Sequence, residues 1–230
     1  MRLRTTFLLS LLLLPFSSLE VNSQIFFRIR ADFMIKAKSP DGKQQLTSGK
    51  VYYDKNINQI VYEITFPEKE TWVQRDTVLY KIINEEVKDK QHIPSLIAFT
   101  IYNLVLNGNL SDYGLKKSKF KIINVEKSED GIISTWEPPA ELKKFFDNVQ
   151  LLNVNQQLNG IVFKNNSGEI VSRQFFRNYI NVKGLSFPQE IVRENHIDGQ
   201  IAYELTTYSK ILINDIGNEN KYNYQIPKGR

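Results

Sequence analysis

From Phe27 to Ala37 apolar and polar side chains alternate: Phe27, Ile29, Ala31, Phe33, Ile35 and Ala37 share one side, while Arg28, Arg30, Asp32, Met34 and Lys36 share the other. A period of two is that of an extended strand with one dry and one wet face. The pattern continues after the Asp-Gly turn in "SPDGK" (39–43) with a strand over Leu46 to Asp54 carrying Val51 and Tyr53. "DKNINQ" turns the chain into a third strand, Gln59 to Phe66, in which Ile60, Tyr62, Ile64 and Phe66 fall on one face and Val61, Glu63 and Thr65 on the other. Thr71 to Gln74 and Thr77 to Ile83 alternate again through Trp72, Val78, Tyr80 and Ile82. Five short strands with antiparallel turn lengths predict a meandering sheet with one apolar face.

The alternation breaks at "PSLIAFTIYNLVLNG" (94–108), where nine of the eleven residues from Leu96 to Leu106 are apolar. Pro94 and Gly108 punctuate it as a helix, although its aromatic and β-branched content also suits two buried strands. As a helix it is apolar around most of its circumference and needs cover on nearly every side. Strands then resume over Lys119 to Lys127 and Ile132 to Trp136, and the ambiguous "AELKKFFDNVQLL" (140–152) reads as a short amphipathic helix running into a strand. A hairpin over Leu158–Lys164 and Glu169–Arg177 follows, then strands near 188–194 and 200–213, the last with Ile201, Tyr203, Leu205, Thr207, Ser209, Ile211 and Ile213 on one face. About eleven strands with one or two helices between them predict a mostly β, α+β fold, a large antiparallel sheet curling around inserted helices.

The first residues stand outside this pattern. Arg2 and Arg4 precede the apolar run "FLLSLLLLPF" (7–16), which is too short to span a bilayer, and Val21 with Ser23 suit a cut before Gln24. Residues 1–23 read as a cleaved export signal, the alternative being an uncleaved anchor, and 24–230 as a single domain. Removal of the signal leaves 28 Lys and Arg against 24 Asp and Glu, a mild excess that makes no case for nucleic acid. No later stretch reaches the roughly 18 apolar residues of a membrane span. Cysteine is absent, so packing alone must hold a domain of this size, which buries roughly 70% of its unfolded surface.

Candidate chemistry is sparse. His92 and His196 are the only histidines, without metal-ligand spacing, and there is no Cys nucleophile, nucleophile elbow or phosphate loop. The carboxylate clusters Glu85–Glu86 and Glu126, Glu129, Asp130 sit in apparent turns or on solvated faces. The 25 Phe and Tyr and two Trp are mostly hydrophobic area; in "VSRQFFRNY" (171–179) alternation sends Phe175 and Phe176 to opposite faces, one to the core and one to its rim. No cofactor, metal or catalytic set is predicted.

"ADFMIKAKSPDGKQQLTSGKVYYDKNINQIVYEITFPEKETWVQRDTVLYKI" (31–82) resembles the opening of the periplasmic outer-membrane lipoprotein carrier (LolA-like) family in Ala31, Phe33, Ser48, Gly49, Val51, Tyr53, Pro67, Asp76, Leu79 and Tyr80. "GIVFKNNSGEIVSRQFFRNYINVKGLSFPQEI" (160–191) resembles its late hairpin and "YNYQIPKG" (222–229) its terminal strand. Two features differ: the chain passes from Gln24 almost directly into strand, where members carry a helix, and Asp54-Lys55 stands where well-known carriers have an Arg-Pro whose Arg helps hold the lid. The resemblance implies an incomplete β-barrel, its concave apolar face under a helical lid, acting without catalysis in the periplasm.

It further implies an acylated lipoprotein or lipid as partner, handed over between inner- and outer-membrane donor and acceptor proteins. The candidate lipid-binding lining is Phe27, Ile29, Phe33, Ile35, Val51, Tyr53, Ile60, Tyr62, Ile64, Phe66, Trp72 and Tyr80, with Leu96, Phe99 and Leu104 as lid. Each of these also suits an ordinary packed core. Two other functions compete: an envelope protein-interaction or sensor module that binds no lipid, and a hydrolase whose carboxylates come from distant strands.

Overall fold

In a computed structural model the strand β1 (Arg28–Lys38) is flanked by β2 (Gln44–Asp54) on one side and, on the other, by the last strand of the chain, β13 (Gln200–Ile213). The structure describes residues 25–75, 77–92, 99–107, 112–197 and 199–228. From β2 the chain meanders outward through β3 (Gln59–Phe66), β4 (Glu70–Arg75), β5 (Val78–Ile83) and β6 (Glu86–His92). It returns through β7 (Lys121–Lys127), β8 (Ile132–Glu137), β9 (Asn148–Val154), β10 (Gln157–Lys164), β11 (Ile170–Val182) and β12 (Leu185–Ile197). All belong to one antiparallel sheet of order β6-β5-β4-β3-β2-β1-β13-β12-β11-β10-β9-β8-β7. The first and last strands therefore meet mid-sheet, and β6 and β7, consecutive strands in the chain, are the two edges.

That topology places the connection between β6 and β7. It must travel from one edge to the other, and its helix α1 (Ile101–Leu106) lies across the sheet. Phe99, just before α1, packs edge-on against Phe163 of β10 at 5.1 Å, while Tyr102, three residues on, packs against Tyr53 of β2 at 5.9 Å. In a flat sheet β2 and β10, five strands apart, would be separated by roughly 24 Å. The sheet therefore curls around α1, which becomes the centre of the inner, concave core. The sheet is open, an incomplete barrel.

Among the described residues thirteen strands are present where alternation marks about eleven. The additional ones are β6, "EVKDKQH", polar apart from Val87 as suits an exposed edge, and β9, the strand half of the ambiguous 140–152 segment, whose first half forms a short 3-10 turn at Ala140–Leu142. Gly49 explains the Ser-Gly pair of β2: a Cβ there would stand 2.0 Å from the Glu63 carbonyl oxygen, where β2 and β3 shift register between Ser48 and Gly49.

The outer face has a second, smaller core. Tyr52, Val61, Val73 and Ile82 point away from α1 and are covered by Tyr222 at the end of α2 (Glu219–Tyr222), with Tyr224 and Ile226 beside it. "YNYQIPK" (222–228) is thus a cap on the convex face and not a strand, because the outer side chains of β2 to β5 are apolar and need burial; Gly229 lies outside the described residues. Arg28 fixes the cap. Its guanidinium pairs with both Glu219 oxygens at 2.5 and 2.6 Å and with Asp54 at 2.5 Å, and lies 4.7 Å from the Tyr222 ring centre. These carboxylates raise the Arg28 pKa, against the opposing effect of burial.

Candidate functional site: the cavities beneath α1

The inner face of β1, β2 and β3 follows the period-two pattern. Ile29, Phe33, Val51, Tyr53, Ile60 and Ile64 are buried in the inner core, and Ile35, Tyr62 and Trp72 are partly buried against it. From the lid segment Phe99 and Leu104 are buried in the same core, and Leu96 lies outside the described residues.

Three lining candidates lie elsewhere. Phe66, at the end of β3, is 48% exposed. Phe27 precedes β1, where Asn214 accepts the Phe27 and Arg28 backbone N–H groups, and its neighbour Phe26 packs on the inner core instead. Tyr80 joins the outer core, because Trp72 pairs with Lys81 across the β4–β5 hairpin and so puts Leu79 and Lys81, not Tyr80, on the inner face. The parity of a strand after a turn depends on hairpin register, which alternation does not specify.

Space remains on the concave face, beside α1 and the two residues before it. A cavity of about 220 Å³ is bounded by Phe33, Ile35, Ile64, Trp72 and Leu79. It shares Tyr62, Gln74 and Arg193 with a larger one of about 400 Å³ that continues past Phe99, Phe146 and Phe163, so the two are chambers of one groove. On the other side of α1, Ile101, Leu104 and Val105 face a third cavity of about 400 Å³ walled by Phe26, Leu158 and Leu185. Ile29, Val51, Tyr53 and Ile60, all with 0% exposure, are packed supports behind these chambers.

Polar side chains interrupt the apolar wall. Tyr102 of α1 and Tyr208 of β13 share a hydroxyl hydrogen bond of 2.9 Å, and the Tyr62 hydroxyl interacts with Tyr102. Burial pushes all three phenols above their ordinary pKa. Arg193 of β12 pairs with Glu204 of β13 at 3.1 Å, and Thr206 donates to the same carboxylate at 3.3 Å. At the β4–β5 end Glu70 accepts from Trp72 Nε1 at 2.7 Å and pairs with Lys81 at 2.9 Å. Burial alone would raise Glu70, but these donors outweigh it and hold its carboxyl below the ordinary value.

The contribution of β13 was hidden in the alternation. Tyr208, Thr206 and Glu204 face inward, whereas Tyr203 is 45% exposed, yet Ile211 and Ile213 are buried in the inner core. The register against β1 shifts between Arg30 and Asp32, and opposite it Lys210 has a positive φ of 49°. This bulge inverts the facing of β13 partway along its length. Phe176 is buried and its neighbour Phe175 only partly so, as the alternation of "VSRQFFRNY" requires.

Several polar contacts tie α1 to the sheet, the Tyr62–Tyr102 interaction among them. Besides Tyr102–Tyr208, Tyr53 Oη donates to Asn103 Oδ1 at 3.0 Å and Lys55 Nζ to the Leu106 carbonyl at 3.0 Å. Burial, and after it the nearby Lys117, lowers the Lys55 pKa. The "DKNINQ" turn presents this lysine: Asp54 Oδ1 accepts from the backbone of Asn56 and Ile57, while its other oxygen holds Arg28. Among the described residues no His, Cys, Asp or Glu side chains converge in a metal-holding group, and no helix is long and apolar enough to cross a membrane.

No protein-family model and no curated protein sequence matches the chain. Solved structures do match its fold. A LolA superfamily protein from Nitrosomonas europaea is 17% identical with a TM-score of 0.58, the match covering 85% of this chain and 90% of that one. A domain described as outer membrane lipoprotein-sorting, from Vibrio parahaemolyticus, is 11% identical with a TM-score of 0.61 over 86% and 89% of the two chains. A DUF1329 family protein from Desulfovibrio piger is 10% identical with a TM-score of 0.62 over 88% and 92%. The fold is LolA-like.

Proposed function

We propose that this protein is a non-enzymatic carrier that shelters the acyl chains of lipoproteins or lipids beneath α1. The observation that carries the reading is the set of chambers on the concave face, beside and before an apolar helix packed across that face. A methylene takes up about the volume of a liquid water, roughly 30 Å³, so a 400 Å³ chamber has room for on the order of a dozen. At about 0.8 kcal/mol per buried methylene, that offers on the order of 10 kcal/mol gross, offset by lid opening and the cargo's lost freedom. The described residues of the chamber walls are mostly apolar and bring together no nucleophile with a base, which suits sheltering better than chemistry.

Residues 1–23 act on this reading as the export signal that delivers the domain to the periplasm, where membrane-bound donors and acceptors load and unload it. The "lipoprotein-sorting" description of the Vibrio parahaemolyticus domain supports this placement by likeness of fold. Titration of the mature protein with a fluorescent long-chain acyl probe tests it. Binding should saturate and weaken at least tenfold in Val171→Glu, which puts a charge into the larger chamber at a partly exposed position. Tyr203→Glu on the exposed side of β13 should leave it unchanged. Absence of saturable binding would favour a protein-interaction module on the same fold.

A further inference from the structure

We propose that the larger chamber reads the carbonyl linkage by which an acyl chain is attached, in addition to sheltering the chain; this rests on the carrier reading above. Gln74 of β4 and Gln174 of β11 both line that chamber and are only 8% and 7% exposed. Among the described residues neither carboxamide has a hydrogen-bond partner. Beside them, Asn195 accepts from Ser172 Oγ at 2.9 Å through its Oδ1, which leaves its NH2 group unpaired among the described residues. Each amide keeps some surface on the chamber it lines, and an apolar chain filling that chamber would strip its water without replacing the hydrogen bonds. A chamber built for hydrocarbon alone would gain from leucine or methionine at these positions.

The charge of the wall selects the partner group. Arg193 is the cation that lines this chamber, and Glu204 already neutralises it at 3.1 Å. A phosphate or carboxylate would enter without a free counter-charge, at the cost of its hydration. An ester or amide carbonyl carries no net charge and accepts up to two hydrogen bonds, which the NH2 groups of Gln74, Gln174 and Asn195 can donate. The ligand class is therefore a neutral acyl ester or amide, with its carbonyl at the amides and its chain running toward Phe99 and Phe163.

The test compares methyl oleate with an 18-carbon alkene, in the wild-type mature protein and in the double variant Gln74→Met, Gln174→Met. Methionine keeps the length of each side chain and removes its amide. The ratio of alkene to ester dissociation constants should fall about tenfold from wild type to variant, the loss expected for one or two neutral hydrogen bonds, with alkene affinity unchanged or improved. The empty variant should melt no lower than wild type, because an apolar group replaces an unpaired polar one. An unchanged ratio, a variant that melts lower, or oleate anion bound more tightly than its methyl ester would overturn the carbonyl site while leaving the carrier intact. Failure of wild type to bind either probe would overturn the carrier reading and this site with it.

Discussion

Replacing Lys55 with methionine should loosen the helix that walls the third cavity without disturbing the sheet. Lys55 Nζ donates to the Leu106 carbonyl at 3.0 Å, at the end of α1, where the last carbonyls of a helix have no partner within it. Methionine preserves the apolar stem and removes charge and donor. A hydrogen bond to a charged group contributes about 1.5–3 kcal/mol. Lys55 is partly exposed and its pKa is depressed by burial, so part of that gain is lost to desolvation and about 1.5 kcal/mol is the expected effect. This corresponds to roughly tenfold in the opening equilibrium of the helix. Amide hydrogen exchange resolves it: residues 101–107 should exchange roughly tenfold faster, while β1 and β13 keep their protection. Unchanged exchange over 101–107, or an equal rise throughout the sheet, would refute the view that Lys55 fastens a separately opening element.

Other perturbations test the frame around the chambers. Gly49→Ala should cost about 2–3 kcal/mol in urea unfolding, because its Cβ would meet the Glu63 carbonyl oxygen at 2.0 Å. Asp54→Ala should cost about 3 kcal/mol in the same assay, since it strips a buried partner from Arg28 and two acceptor contacts from the turn that presents Lys55. Stability should fall as pH rises above 10.0, the ordinary phenol value. Burial raises the folded-state pKa of Tyr53, Tyr62, Tyr102 and Tyr208, so the unfolded chain releases these protons first and the stabilisation is lost progressively from that pH upward. Circular dichroism alongside tyrosinate absorbance checks this: these phenols should ionise only as the fold melts.

Much of the sheet is legible as alternation, because a curled sheet with a dry inner face imposes a period of two on β1, β2 and β3. Phe33, Tyr62 and Ile64 reach the chambers for that reason. The pattern fails where local geometry changes parity. The β4–β5 register sends Tyr80 outward, and the bulge at Lys210 brings Tyr208 inward while Ile213 stays in the core. It fails again at β6, whose edge position needs no apolar face, and at the convex cap, because a strand buried on both sides loses the contrast on which alternation depends. Gln74, Gln174 and Arg193 carry no sequence signal at all. A glutamine or arginine on a strand reads as solvated until the fold places it in a chamber wall.

The carrier account rests on where an acyl chain sits. The most direct measurement is isotope-filtered NMR of the mature protein, deuterated except for Ile and Val methyl groups, mixed with a protonated long-chain lipid. Cross-relaxation from chain methylenes to Ile35, Ile64 and Val171, which line the groove, with none to Val61 or Val73 beneath the Tyr222 cap, is the expected result. Contacts confined to the outer face or the strand edges, or none at lipid concentrations that saturate binding, would contradict it.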